Sequence, residues 1–271
     1  METQPKQIQD KSLLIIIVLL LLRFPLLILG GFNIVPETMA FVIYLCATYL
    51  FTGIFIYLKR NTLAQYNITP IALIIFFIAP IAAIIAGRDN DPTLWVRVIM
   101  SALFLIFLFT KGKYRFNFTK VAVKKTILDI LFTVLLCVVV PVLIHAIRGF
   151  PTVDVSDSER PLLIGFFFPY IWFFQLSSAA ISEEPLFRGF IWGYLKNKGI
   201  KDPWICVIQA LLFWAGHIYY IGTGINFWIV HPLFAIFIGL LVWKTRSITH
   251  TMIFHSCVNT FVDYLRFIPF R

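Results

Sequence analysis

LLIGFFFPYIWFFQLSSAAISEEPLFRG, residues 162–189, runs from an apolar stretch long enough to cross a bilayer straight into two adjacent carboxylates, a proline and an arginine. A spanning helix needs roughly 20 apolar residues, and ionisable groups near hydrocarbon are costly and mark function by default. The segment therefore reads as a membrane span that ends on a functional polar cluster. Composition extends that reading to the whole chain. Of 271 residues, 60% are hydrophobic, 17% aromatic and only 13% charged, with a mean hydropathy of +0.88, beyond what a soluble core and its solvated surface require. The fold class is all-α, a polytopic transmembrane helical bundle with an intramembrane site in its C-terminal half.

The 20-residue ruler gives about nine candidate spans, a bundle of about 8–9: 13–31, 38–58, 69–87, 93–110, 126–146, 162–182, 204–221, 227–243 and 248–265. The net charge of +10 does not point to nucleic acid, because the lysines and arginines fall in short connectors and build no aromatic-studded basic face. They alternate instead. Lys59 and Arg60 follow span two, six basic residues lie in KGKYRFNFTKVAVKK (111–125), Lys196, Lys198 and Lys201 follow span six, and Lys244 and Arg246 follow span eight. Connectors 32–37, 148–161 and 222–226 lack such an excess. The positive-inside bias then puts the N-terminus in the cytoplasm of an integral membrane protein, in the cell membrane. Cys46, Cys137, Cys206 and Cys257 stand in apolar surroundings without CxxC spacing and read as small packing residues. The N-terminus has a signal peptide's charge order, but its apolar run is too long and is interrupted by Arg23, so it reads as a retained first span. Residues 1–271 form one membrane domain, with 1–150 as accessory spans and 160–262 as the core that carries the chemistry. Within spans one to five, Arg23 and Asp129 read as snorkelling side chains, and His145, His231 and His250 read as span-end or packing residues.

Three pieces of the second half stand apart: EEPLFR (Glu183, Glu184, Arg188), FWAGH (Phe213, His217) and HSCVN (His255, Asn259). Glu184/Arg188, Phe213/His217 and His255/Asn259 are i,i+4 pairs, so each shares one helix face. Counting from the nearest basic connector at 1.5 Å per residue, Glu184 lies about 18 Å deep, His217 about 24 Å and His255 about 14 Å. All three fit the middle of a core about 30 Å thick. Pro185 cannot donate a backbone hydrogen bond and disfavours helix just before it, so the helix is expected to kink or restart near Ser182–Glu184 beside a wet cavity. A carboxylate with a neighbouring histidine is the equipment of a general base acting on water, and a His/Asn pair can donate to an oxyanion. Zinc held by the same Glu, His and His is the alternative, although HExxH is missing. A Cys257/His255 nucleophile fits poorly, because residues two apart on a helix face different ways.

These motifs resemble those of the CAAX protease and bacteriocin-processing family, the Abi-type intramembrane proteases that include the Ras-converting CAAX endopeptidases. EExxxR is matched by Glu183, Glu184 and Arg188, FxxxH by Phe213 and His217, and HxxxN by His255 and Asn259. The resemblance covers about residues 160–262. It implies that Glu183 and His217 activate the water, that His255 and Asn259 form the oxyanion hole, and that Glu184 and Arg188 hold the first motif's helix in register. It also implies no cofactor, with zinc as the alternative, and a peptide or prenylated protein as substrate within membrane lipids. Family members differ in substrate, and some serve bacteriocin immunity or regulation. A non-catalytic immunity or regulatory scaffold of the same fold, and a transporter binding a proton or ion, remain the other classes. A scaffold is expected to lose motif residues and a transporter to show inverted repeats; the chain keeps the former and lacks the latter.

Overall fold

The computed structural model describes residues 21–59, 63–69, 123–149, 168–176 and 181–265, together with Leu14, Val18, Ala72, Ile75, Ile99 and Ala102. In chain order the helices are α1 (Phe24–Gly31), α2 (Glu37–Lys59), α3 (Val123–Ile147), α4 (Phe168–Gln175), α5 (Ile181–Glu184), α6 (Trp192–Asn197), α7 (Asp202–Gly216), α8 (His231–Thr245) and α9 (Ile248–Leu265). A π-helical stretch, Pro185–Ile191, joins α5 to α6, and another, Asn226–Val230, leads into α8. Short 3-10 turns occupy Leu63–Tyr66 and Ile218–Thr223. Among the described residues every regular element is helical.

Three of these helices are long and apolar enough to cross a membrane: α2, α3 over Lys124–Ile147, and the joined segment Asn226–Thr245. The apolar helix α7 is shorter, ending at Gly216 where the sequence led one to expect a span to 221. The expected spans 69–87 and 93–110 lie outside the described residues apart from isolated positions, and 162–182 is described only in part. Helix α3 shows why hydrocarbon is its solvent. One side packs Leu136, Val140 and Ile144 into the core, while Ile127, Leu131, Val134, Leu135, Val138 and Val142 are all exposed. A continuous apolar face of that kind suits lipid and not water. The chain is an integral membrane protein.

One apolar core takes Leu45, Phe51 and Phe55 from α2, Leu136 and Val140 from α3, Phe187 and Phe190 from the first π stretch, Phe213 from α7, Phe234 and Ile238 from α8, and Phe254 and Val258 from α9. The helices before residue 150 thus share a core with those after it. Close approach is made possible by small residues: a Cβ on Gly189 would stand 3.0 Å from Tyr66 O, and one on Gly193 would collide with the Tyr66 ring. Gly189 and Gly193, one turn apart, are what let the 63–68 segment lie flat against this helix.

Side-chain contacts sort the connectors by end. Asp202 accepts from Lys196 at 2.9 Å and from both terminal nitrogens of Arg246 at 2.7 and 3.1 Å. These bonds, Arg246 first, hold the Asp202 carboxyl down to about 2. At the same end, Thr69 bonds Thr249 at 2.7 Å and Ile248 N–H donates to Asn67 O at 2.9 Å. At the other end Arg148 donates to Asn226 at 2.6 Å. The chain turns at 63–69, 196–203 and 244–249 are therefore gathered at one end, and 148–149 and 224–226 at the opposite one.

Candidate active site

Glu183 and Glu184 end α5, immediately before Pro185. The expected restart takes a different form: Glu184 keeps helical dihedrals (φ −63°, ψ −44°), and the chain widens into seven π-helical residues. The missing proline N–H is absorbed by a change of hydrogen-bond pattern instead of a break, and π segments are frequent at functional sites. The Arg188 carbonyl in this stretch accepts from the Asn67 side chain at 3.1 Å.

Adjacent helical residues point about 100° apart, and the two carboxylates meet different partners accordingly. Glu184, fully buried, accepts at one oxygen from Arg188 Nη1 (3.2 Å) and from His255 Nδ1 (2.8 Å). This joins the first motif to the third across two helices. It also makes Nδ1 the protonated nitrogen of His255, with Nε2 turned toward Glu183 Oε2 at 3.9 Å. Arg188, also fully buried, lies with its guanidinium 4.4 Å from the Phe213 ring centroid.

His217 caps the end of α7, where the helix gives way to the 3-10 turn. Its Nδ1 lies 2.8 Å from Phe213 O; a carbonyl only accepts, so Nδ1 carries the proton and Nε2 presents its lone pair. That lone pair faces Glu183 Oε1 at 3.8 Å. Phe213 is the wall of the site, its ring centroid 4.4 Å from that of His217 and 6.1 Å from that of His255. Five predicted residues, Glu183, Glu184, Arg188, His217 and His255, therefore converge. Asn259 lies one turn beyond His255 on α9, and its amide donates to Gln175 Oε1 of α4 at 3.0 Å.

Sequence reasoning missed four neighbours. Arg23 does not snorkel: it is 4% exposed, bonded by Nη1 to Thr48 and, at 3.4 Å, to Tyr44 O. Tyr44 lays its ring 4.9 Å from that of His217. His231, taken as a packing residue, lies with its ring 5.1 Å from that of His217 and its Nδ1 2.7 Å from Asn226 O. Gln175 holds Asn259. The one signal available in advance was an arginine inside the first apolar run. Asp129 is also buried, at 6% exposed, and pairs with Lys125 one turn earlier on α3, so it too is a bonded side chain and not a snorkelling one.

Residues 165–261 match the family model described as type II CAAX prenyl endopeptidase Rce1-like. Over this segment the chain is similar to that family. The match spans all the motif residues and stops short of α1, α2 and α3. No curated protein and no solved structure matches the chain. The similarity supports a protease at the general level.

Proposed function

We propose that the chain is an intramembrane endopeptidase that hydrolyses a peptide bond in a lipidated CAAX-type tail or a short peptide, with water activated by Glu183 and His217. The observation that carries this reading is two acceptors set face to face. Glu183 Oε1 and His217 Nε2 stand 3.8 Å apart, too far to bond each other and well placed for a water that donates one proton to each. The water oxygen then keeps a lone pair for the scissile carbonyl. Glu183 takes the proton that leaves as the new C–O bond forms and passes it to the departing amine. His255, held by Glu184 at Nδ1, carries a second proton as imidazolium and donates from Nε2 to the oxyanion. Asn259 supplies the neighbouring donor. Arg188 balances the Glu184 charge and so fixes His255.

The reaction so written uses no metal. The alternative is zinc held by Glu183 and the free Nε2 atoms of His217 and His255, since a ligating imidazole commonly donates its other N–H as these do, and chelation separates the two. The basic connectors face the cytoplasm in this reading, which places the cut near the cytoplasmic leaflet. The test is cleavage of farnesylated CAAX peptides beside unlipidated ones by purified protein in detergent, before and after exhaustive chelation. Cleavage that survives chelation and disappears in Glu183→Gln is the expected result. Loss on chelation with rescue by zinc and not calcium overturns the metal-free mechanism, and no cleavage of either peptide class favours a scaffold of the same fold.

A further inference from the structure

Helix α4, FPYIWFFQ, carries apolar and aromatic side chains until its last residue, Gln175. That turn is firmly held: Ile171 and Leu176 are buried, and Trp172 and Leu176 pack in the core that also takes Cys257 of α9. Gln175 is half-buried there, and its Oε1 accepts from Asn259 Nδ2 at 3.0 Å, across 84 residues of sequence. An amide in a membrane helix is costly unless it finds a partner. What sets this pair apart from ordinary packing between helices is the residue it holds. Asn259 lies about 6 Å along α9 from His255, whose Nε2 faces Glu183 Oε2 at 3.9 Å.

An asparagine amide has two orientations, related by a half-turn about its last bond, that exchange the Nδ2 donors for the Oδ1 acceptor and keep the shape. An oxyanion tells them apart. One orientation offers an N–H, and the other a carbonyl dipole of the wrong sign. With Gln175 Oε1 as acceptor, the flipped amide would bring Oδ1 against Oε1, two acceptors face to face, whereas the observed one makes a bond and leaves Nδ2 a second N–H. We propose that Gln175 is a positioning residue, which holds the Asn259 amide in the orientation that presents this second N–H beside His255. The two donors of the third motif are then set in the same way, each by one acceptor on a neighbouring helix: His255 by Glu184 of α5 at 2.8 Å and Asn259 by Gln175 of α4 at 3.0 Å. Gln175 lies outside all three motifs, eight residues before Glu183. The proposal deepens the endopeptidase reading and rests on it for the oxyanion, not for the amide's orientation.

Two substitutions test it in the full chain in nanodiscs. Gln175→Met keeps the length and removes the acceptor, while Gln175→Glu keeps the acceptor and removes the donors. Each is compared with wild type, Asn259→Ala and the Gln175→Met/Asn259→Ala double variant, by cleavage of a farnesylated peptide and by thermal melts. Gln175→Met is expected to lower kcat roughly 2- to 10-fold with KM unchanged, the bias that one neutral hydrogen bond exerts between two orientations. Gln175→Glu is expected to return kcat toward wild type, and Gln175→Met to cost nothing further once Asn259 is alanine, because no amide is left to orient. Wild-type kcat in Gln175→Met, the same kcat loss in both backgrounds, or a folded Gln175→Glu worse than Gln175→Met overturns the positioning role. The melts need no substrate: Tm losses of the two single variants that add in full in the double variant overturn the bond itself. Non-additive melts in a protein that cleaves no peptide leave the Gln175 bond standing and overturn the peptidase.

Discussion

Glu183 and Glu184 are neighbours of the same chemistry, and their isosteric amides should fail in opposite ways. Glu184 accepts from Arg188 at 3.2 Å and from His255 at 2.8 Å, with all three side chains almost wholly buried. Glu184→Gln keeps the shape but removes the charge, leaving the Arg188 guanidinium and the His255 Nδ1–H facing an amide. Breaking a buried pair from one side costs about 3–5 kcal/mol; at about 2–4 °C per kcal/mol for a domain near this size, the apparent Tm should fall by about 6–20 °C. Glu183 has nothing comparable to lose. Its Oε2 has no hydrogen-bond partner, and its nearest imidazoles, at 3.8 and 3.9 Å, are beyond hydrogen-bond range. Glu183→Gln removes a buried charge that has no buried ion pair at hydrogen-bond distance, so its Tm should match or exceed that of wild type while cleavage is abolished. Intrinsic tryptophan fluorescence on heating reads the Tm, size-exclusion profiles check that each variant is monodisperse, and a farnesylated peptide reads activity. Equal Tm losses in the two variants, or an active Glu183→Gln, would refute the division of labour between anchor and base.

Asn259→Ala should be milder than Glu183→Gln, lowering kcat by about 10²- to 10³-fold with folding intact, because one oxyanion donor is lost and His255 remains; single-turnover cleavage measures it. The Asp202 cluster gives a pH signature. Its folded-state carboxyl titrates at about 2 against about 3.9 unfolded, so its stabilisation is complete above about pH 4 and is lost as pH falls through the folded value. The Tm gap between wild type and Asp202→Asn should close over that window, and a gap constant from pH 7 to pH 2 would contradict the assignment. For topology, single cysteines at 196–203 and 244–247 in a background lacking the four native cysteines should label from the cytoplasmic side, and at 148–149 from the other. Labelling of all three from one side rules the orientation out.

Much of the fold was legible because a membrane imposes simple rules. Length and hydropathy marked α2, α3 and α8, and the alternation of basic connectors anticipated which chain turns lie together, as the Asp202–Arg246 and Arg148–Asn226 contacts report. The helix ends were less legible. His217 stops α7 at a depth where hydropathy alone continues it to 221, since a lone polar residue barely changes an 18-residue average. Pro185 was read as a break because a proline removes one donor; a π-helix re-routes its hydrogen bonds to i+5, and nothing in local sequence chooses between the two responses.

Within the site, i,i+4 spacing marked every motif residue except Glu183, which came with its neighbour Glu184, because each motif is local and written on one helix. The assignment of partners was not local. Which carboxylate meets His255 depends on how α5 is rotated against α9, and a rotation of about 100° exchanges Glu183 for Glu184. The sequence pairs Glu184 only with Arg188, one turn away; the tertiary contact adds His255 at 2.8 Å and turns a helix-register pair into the group that fixes the imidazole tautomer. Arg23 is the same lesson at greater range. Taken alone, an arginine in a first span is best placed at a membrane edge, because the cost of burial is certain and a partner is not. Its burial becomes intelligible only when Tyr44, Thr48 and Gly216, from two other helices, are seen to hold it against the His217 end of α7. A cation kept there against its desolvation cost argues that the reaction centre extends beyond the family-matched segment, and that residues 165–261 alone are not the whole site.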